Sequence, residues 1–281
     1  MTYEKKKKQE YVVVNFSGGK DSTALTTRMI ELGMHIDEVI CADTFKEFPA
    51  MYRHIEKVRK VVENAGIKFT VLRSDKSFDY LMFEHKVKRR NKDLEGFLGY
   101  SWAENKSRWC TSKLKIDLIN GYLSDLQKKY TVIQMTGIAA DEEYRLEREN
   151  NQQINQRHPL HEWGWSEEDC LQYCYSKGYD WEGLYEIFRS NRTRCPRVSC
   201  WCCPLQPLED LRKLRKHFPE LWEELKDMQS RTWRKFKPDY TVQQLDIRFA
   251  LEEKYLAENK SITNKAFFAE LRKELSKYEK V

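Results

Sequence analysis

Residues 12–22, VVVNFSGGKDS, pass from a β-branched apolar run through two glycines into a helix-forming segment, and nothing else in the 281-residue chain restricts its fold as strongly. Three consecutive valines predict an apolar strand, the start of the βα pattern of a parallel sheet. Gly18 and Gly19 give a turn that is free to adopt positive φ and to approach a ligand closely. A strand, turn and helix in this order leave backbone N–H groups aimed at one point, and the helix dipole adds positive potential there. The segment is therefore suited to a phosphate. Ser17 and Ser22 offer hydroxyl donors, Lys20 a point charge, and Asp21 a carboxylate able to hold Mg²⁺ through water. The pattern is neither the longer loop GxxxxGK[ST] nor the dinucleotide loop GxGxxG.

Strand and helix signals alternate from residue 11 to 150. A helix over 21–32 stops at Gly33, a strand over 38–42 precedes a helix over 50–64 that ends at Gly66, and a strand over 67–72 follows. After a polar, basic stretch (75–106), a helix over 112–128 leads to a strand over 131–135, closed by Gly137. Ser166-Glu167-Glu168-Asp169 reads as a capping box opening a helix that runs to Lys177. Together these predict an α/β fold with a doubly wound, mostly parallel sheet. From Pro207 onward Leu, Phe and Trp recur at spacings of three and four, which predicts a helical C-terminal part. The expected organisation is a basic N-terminal tail (1–10), an α/β domain (11–205) that includes the Cys-rich segment 195–203, and a helical region (206–281).

At 40% hydrophobic and 13% aromatic residues the chain has ample material for a core. No apolar run approaches the roughly 20 residues that span a bilayer, and MTYEKKKKQE lacks the apolar part of a signal peptide. A cytoplasmic protein without a membrane partner is expected. The formal charge of +6 is concentrated in Lys5–Lys8, in KVKRRNK (86–92) and between Arg212 and Lys237. Such runs are ordinarily solvated faces, and they are also what the phosphate backbone of DNA or RNA rewards.

SGGKDS after a strand resembles the pyrophosphate loop of the adenine nucleotide α-hydrolase superfamily, which includes ATP pyrophosphatases, tRNA thiolases and phosphoadenosine phosphosulfate (PAPS) reductases. CADTFKEFPAMYRHIEKV, SRWCTSKLK, TGIAADEEYRLER and PLHEWGWSEEDCLQYC are similar to segments of the PAPS reductase branch, and the resemblance covers residues 12–205. It implies a HUP-like fold, an adenine nucleotide (ATP or PAPS) held by Ser17, Gly18, Gly19, Lys20, Asp21 and Ser22, and Mg²⁺. It also implies that Asp43 and Gly137 flank the ribose and adenine and that Arg145 or Arg148 touches phosphates. Read from the residues alone, Asp43 ends a strand where open α/β sheets place ligands, whereas Arg145 and Arg148 equally suit surface pairs with Glu142 and Glu143.

In a reducing compartment the eight cysteines are better read as thiols, metal ligands or redox groups than as disulfides. Cys195, Cys200, Cys202 and Cys203 crowd into nine residues of RTRCPRVSCWCCPL, and Cys110 lies upstream. Cys200 and Cys203 are spaced to grip one metal, Pro204 matches the Cys-Pro ending of many iron–sulfur segments, and Cys195 and Cys110 would complete four ligands. Four thiolates suit Zn²⁺ and a [4Fe–4S] cluster equally by count. The arrangement is similar to that of sulfur-handling relatives such as the DNA phosphorothioation sulfurtransferase, which implies the cluster. Cys202 either replaces one of the ligands or is a free thiol that carries sulfur. Cys41, Cys170 and Cys174 are read as buried small hydrophobes, and His158 and His161 as structural.

The combined expectation is an AMP-forming ATP pyrophosphatase of the sulfurtransferase type, with Lys20, Asp21 and Mg²⁺ serving the leaving pyrophosphate and Cys202 handling sulfur. Its acceptor would be DNA or RNA and its donor a protein such as a cysteine desulfurase. One alternative is a PAPS reductase-like sulfonucleotide reductase, although no Cys follows Cys203 to match the C-terminal Glu-Cys-Gly nucleophile of the assimilatory enzymes. The other is a non-catalytic nucleotide-sensing or nucleic-acid-binding module.

Overall fold

The computed structural model describes residues 8–147, 155–190 and 195–278. The chain divides into two compact units, residues 1–78 with 109–200 and residues 79–108 with 201–281. Segment 79–108 thus groups with the C-terminal helices.

In the first unit the valine run forms the middle of β1 (Glu10–Phe16), where Val13 and Val14 are fully buried. A strand this apolar needs neighbours on both edges and cover on both faces. It has β2 (Glu38–Ala42) on one side and β4 (Thr131–Thr136) on the other. β3 (Lys68–Leu72) and β5 (Gln156–Arg157) extend the sheet outward, and the order β3-β2-β1-β4-β5 is parallel throughout among the described residues. The chain winds outward from β1 to β3, then returns to place β4 against β1. Winding therefore reverses between β1 and β4, and the ends of these two strands form the switch point at which open α/β sheets bind ligands. Register there places Asn15 beside Thr136, and the Asn15 amide donates to the Thr136 hydroxyl at 3.0 Å.

Helices α1 (Lys20–Glu31) and α2 (Pro49–Asn64) follow β1 and β2. The signal over 112–128 resolves into a short α3 (Trp109–Thr111), a π-helical turn (Ser112–Ile116) and α4 (Asp117–Gln127). From α4, Leu123 packs on Val13, Ile40 and Val132 of the sheet. Beyond β4 come α5 (Glu143–Leu146), α6 (Pro159–Glu162), α7 (Glu167–Ser176) and α8 (Leu184–Ile187). Ser166 and Asp169 form the capping box of α7, with each side chain accepting from the other's backbone N–H. The cap fixes Glu167 as the first residue of the helix, a position that matters at the site below.

The second unit is built from α9 (Leu208–His217), α10 (Pro219–Ser230), α11 (Val242–Ala257) and α12 (Lys265–Tyr278), each packed on the next. Leu251 and Tyr255 of α11 meet Phe267 and Leu271 of α12 in one apolar cluster. Segment 79–108 joins this unit through side chains that the polar composition of 75–106 conceals. Trp102 is 2% exposed and meets Phe236 edge-on at 4.9 Å, and the buried Ser101 hydroxyl accepts from the Arg234 N–H at 3.2 Å.

Replacing Ser166 with Ala removes one half of the α7 capping box. The change is expected to lower unfolding stability by about 1 kcal/mol, read as a shift in the urea midpoint at constant slope.

Candidate functional site

A cavity of about 360 Å³ opens at the switch point, lined by the loop from Ser17 to Ser22 and by Thr136 and Gly137 at the end of β4. Two glycines make this close packing possible. Gly18 has φ +79° and a side chain on it would strike Ile55 at 2.7 Å, while one on Gly137 would lie 3.1 Å from the Asp21 carbonyl. Gly19 is the N-cap of α1 and brings no side chain to cap it. The helix dipole thus meets the cavity without a capping side chain from the N-cap residue itself. Ser22 closes the loop, its hydroxyl donating to the Gly19 carbonyl at 3.0 Å and accepting from the Ser17 N–H at 3.1 Å.

The loop is also braced by residues far along the chain. The Trp181 indole N–H donates to the Gly18 carbonyl at 2.8 Å, the Tyr185 hydroxyl accepts from the Lys20 N–H at 2.9 Å, and the Cys174 thiol donates to the Lys20 carbonyl at 3.4 Å. Trp181 has φ +47° and the following Glu182 φ +54°, a conformation that costs a side-chain-bearing residue on the order of 1–3 kcal/mol. Ring contacts with His54 at 4.3 Å and Tyr185 at 4.7 Å, together with the indole hydrogen bond, offset that cost.

Six charges meet at one wall. Lys20, only 3% exposed, places its ammonium 2.6 Å from Glu167 and 3.1 Å from Asp21. Arg197 bridges Glu142 at 2.6 Å and Glu167 at 2.7 Å, and Arg145 reaches Glu142 at 2.6 Å. Burial acts against the Lys20 ammonium, but Asp21, with Tyr185 and Glu167, outweighs it and raises the ammonium pKa. At Asp21, by contrast, burial prevails over the pairing. Burial pushes its carboxyl up to about 6 despite Lys20, with Glu167 and Glu142 adding like charge. Burial also acts against the Glu167 carboxylate, yet its bonds from Arg197 and Lys20 hold it below the usual carboxylate range.

One oxygen from each of Asp21, Glu142 and Glu167 lies within 4.8 Å of the others, the only such group of three or more among the described residues. Asp21 Oδ1 is buried and has no hydrogen-bond partner. Three hard oxygen donors beside the Gly-rich loop fit Mg²⁺.

Ser17, Gly19, Lys20, Asp21, Ser22, Gly137 and Arg145 line the main cavity. Asp43 lines a separate hollow of about 120 Å³, and its carboxylate accepts from the Phe45 N–H at 2.8 Å, the Tyr52 hydroxyl at 2.9 Å and Arg73 at 3.0 Å. Arg145 pairs with Glu142, as its helical spacing allows, but Glu142 is 1% exposed and faces the cavity, so the pair belongs to the site. Arg148 lies outside the described residues. Cys41, Cys170 and Cys174 are buried, the last of them holding the loop.

Cys110, Cys195 and Cys200 belong to the first unit, and Cys202 and Cys203 to the second. Cys195 is buried and its thiol is pushed up to about 12, by burial first, with Lys20 opposing and Glu168 and Glu167 adding. Lys115, another cavity residue, lies 3.6 Å from Glu47, and its ammonium is raised against burial by Glu47 first, with Cys200 and Cys41 adding. The sequence offered no local sign of Glu142, Glu167, Arg197, Trp181 and Tyr185 as site residues. Only the cap at Ser166, which sets where Glu167 emerges, was visible.

Residues 11–206 match the phosphoadenosine phosphosulfate reductase domain. The chain belongs to this family. Two uncharacterized proteins of Methanocaldococcus jannaschii are similar to it, one 29% identical over 231 residues (79% of this chain, 42% of the relative) and one 24% identical over 232 residues (82% and 50%). The chain thus spans about half the length of the curated relatives it matches. Among solved structures, the U34-tRNA thiolase NcsA from Methanococcus maripaludis with its [4Fe-4S] cluster aligns with a TM-score of 0.40 and 16% identity, covering 76% of this chain and 69% of that one.

Two outcomes are expected from the charged wall. Lys20→Met leaves Asp21 and Glu167 buried without their shared cation. It should cost about 3 kcal/mol of stability in urea unfolding and weaken binding of an adenine nucleotide by at least about tenfold in calorimetric titration. Asp21 holds its proton more tightly folded than unfolded, so the stability this gives is full below about pH 4 and gone above about pH 6. Wild-type stability minus that of Asp21→Asn should therefore fall by about 3 kcal/mol from pH 4 to pH 7, and a flat difference would show that this carboxyl is not raised.

Proposed function

We propose that the protein is an AMP-forming ATP pyrophosphatase that activates an oxygen of a nucleic acid acceptor and replaces it with sulfur. The observation that carries this reading is Arg197. It lies between Cys195 and Cys200 in the chain, and its guanidinium sits on Glu142 and Glu167 in the cavity of the Gly-rich loop. The cysteine segment and the nucleotide cavity therefore share a residue.

In this reading the triphosphate lies along Ser17–Ser22, with its charge met by the α1 N-terminus, Lys20, Arg145 and Arg197. Gly137, at the end of β4, is assigned to the nucleoside side, and so is Asp43, whose bonds to Tyr52 and Arg73 make it a positioning residue there. The acceptor's carbonyl oxygen attacks the α-phosphorus, and the bond to the bridging oxygen breaks to release pyrophosphate. Lys20 and the loop N–H groups stabilise the charge that builds on that leaving group, electrostatic catalysis from groups already in place. Mg²⁺, when held by Asp21, Glu142 and Glu167, supplies further positive charge to the phosphates. Sulfur at the sulfide level then attacks the activated carbon, a C–S bond forms, and AMP leaves with the oxygen. No electrons change hands in that step.

Cys202 is the thiol proposed to take up sulfur as a persulfide from a donor protein such as a cysteine desulfurase. Release of sulfide from it consumes two electrons from a thiol reductant. Cys110, Cys195, Cys200 and Cys203 are the proposed ligand set for a [4Fe–4S] cluster, with Zn²⁺ the alternative that four thiolates equally allow. Because the Cys195 thiol is raised, metal binding there must release a proton and is favoured by higher pH. A bound cluster would supply a site for the incoming sulfide.

The family match favours a second reading, reduction of PAPS to sulfite. The two separate cleanly. Protein purified without oxygen should contain iron and sulfide in near-equal amounts and release pyrophosphate from ATP only when a nucleic acid acceptor is present. Zinc without iron overturns the cluster, and sulfite from labelled PAPS with ATP left intact overturns the pyrophosphatase.

A further inference from the structure

The second unit carries a hollow of about 670 Å³ that the chemistry above leaves unused. Its lining includes Pro204 and Leu205, the two residues after Cys203, together with Phe236, Trp233, Lys106 and Lys235. From Arg231 to Lys237 the chain has four cations and no acid. These charges are interleaved with rings. Trp233 lies 4.8 Å from the guanidinium carbons of both Arg89 and Arg234 and 5.4 Å from the Phe97 ring. Phe97 and Leu98 beside it are 46% and 50% exposed.

A surface that offers cations and partly exposed rings together matches a ligand with regular negative charge and flat apolar groups. A lipid headgroup or an acidic peptide brings the charge without the flat groups, and a duplex hides its bases in the stack. A single strand presents both, with bases on the rings and phosphates on the cations. Glu104 and Asn105 also line the hollow, and the Glu104 carboxylate is 2.5 Å from Arg234. A carboxylate repels a phosphate but accepts from a hydroxyl, and a ribose carries a 2′-hydroxyl at every nucleotide where deoxyribose carries none.

We propose that this hollow binds a single-stranded segment of RNA, with a base against Trp233 and Phe97 and phosphates on Lys106, Arg234 and Lys235. The inference rests on the reading that a nucleic acid accepts the sulfur, and it specifies the acceptor's class and its seat.

The test is fluorescence anisotropy on the intact protein without ATP, using a labelled RNA strand of about 12 nucleotides, DNA of the same sequence, and the RNA duplex. The single RNA strand should bind several-fold more tightly than either comparison, with affinity falling linearly in log–log form as salt rises. Lys106 and Lys235 are exposed, so the double charge reversal Lys106→Glu with Lys235→Glu should leave the fold intact and weaken RNA binding by at least about tenfold, with ATP affinity unchanged. Trp233→Phe, which keeps a ring, should cost less than Trp233→Ala. DNA bound as tightly as RNA, or RNA binding indifferent to the charge reversal, overturns the proposal. Pyrophosphate release is assayed separately, so loss of RNA binding at this surface is distinguishable from failure of the pyrophosphatase reading.

Discussion

The buried ammonium of Lys20 sets the terms for the rest of the nucleotide unit. Taking such an ion out of water costs several kcal/mol unless it is paired and hydrogen-bonded. Here Glu167 and Asp21 supply the pairing at 2.6 and 3.1 Å. Glu167 comes from the first turn of α7, so the partner reaches Lys20 only if α7 is capped at Ser166 and packed on α1. The loop cannot keep its shape unless the chain some 150 residues downstream is folded. Trp181 and Tyr185 make the same demand through the Gly18 carbonyl and the Lys20 N–H.

That arrangement balances three cations, Lys20, Arg145 and Arg197, against three carboxylates, Asp21, Glu142 and Glu167. A buried cluster of one sign would be unstable, so each cation is held on an internal carboxylate. On the proposed reading, the triphosphate takes over Lys20, Arg145 and Arg197, and the carboxylates they leave become donors for Mg²⁺. Asp21 is nearest to this exchange, since one of its oxygens already lacks a partner and its carboxyl is raised to about 6. Near neutral pH it is ionised and poised to accept a cation.

Much of the sheet was legible because its signals are local. Val12–Val14 define an apolar strand by themselves, glycines mark the helix exits at Gly33 and Gly66, and the capping box at Ser166 falls where four consecutive residues place it. The alternation of elements predicts a parallel sheet, whereas the strand order, and with it the switch point between β1 and β4, comes from the pairing of the strands. What escaped the sequence was every contact across the chain. Arg197 reads as one charge in a Cys-rich run, Trp181 as one aromatic among many, and Glu167 as a helix-start carboxylate, yet each joins residues 30 to 163 positions away. Segment 75–106 was opaque for the opposite reason. Its charge and polarity suggest a connection, while the two residues that fix part of it to the C-terminal helices, Ser101 and Trp102, show no periodicity.

Arg145 shows how a correct local rule leads to an incomplete conclusion. Its spacing of three from Glu142 predicts a pair, and the pair forms. A surface pair of this kind contributes almost nothing to stability, so it reads as decoration. Glu142, however, is 1% exposed, and it is bound a second time by Arg197. Removing either arginine leaves the other to hold a buried carboxylate alone, so the two are coupled and their substitutions should not add. The same arginine links the Cys195–Cys200 segment to the loop, because its guanidinium also holds Glu167, the carboxylate that pairs with the buried Lys20 ammonium.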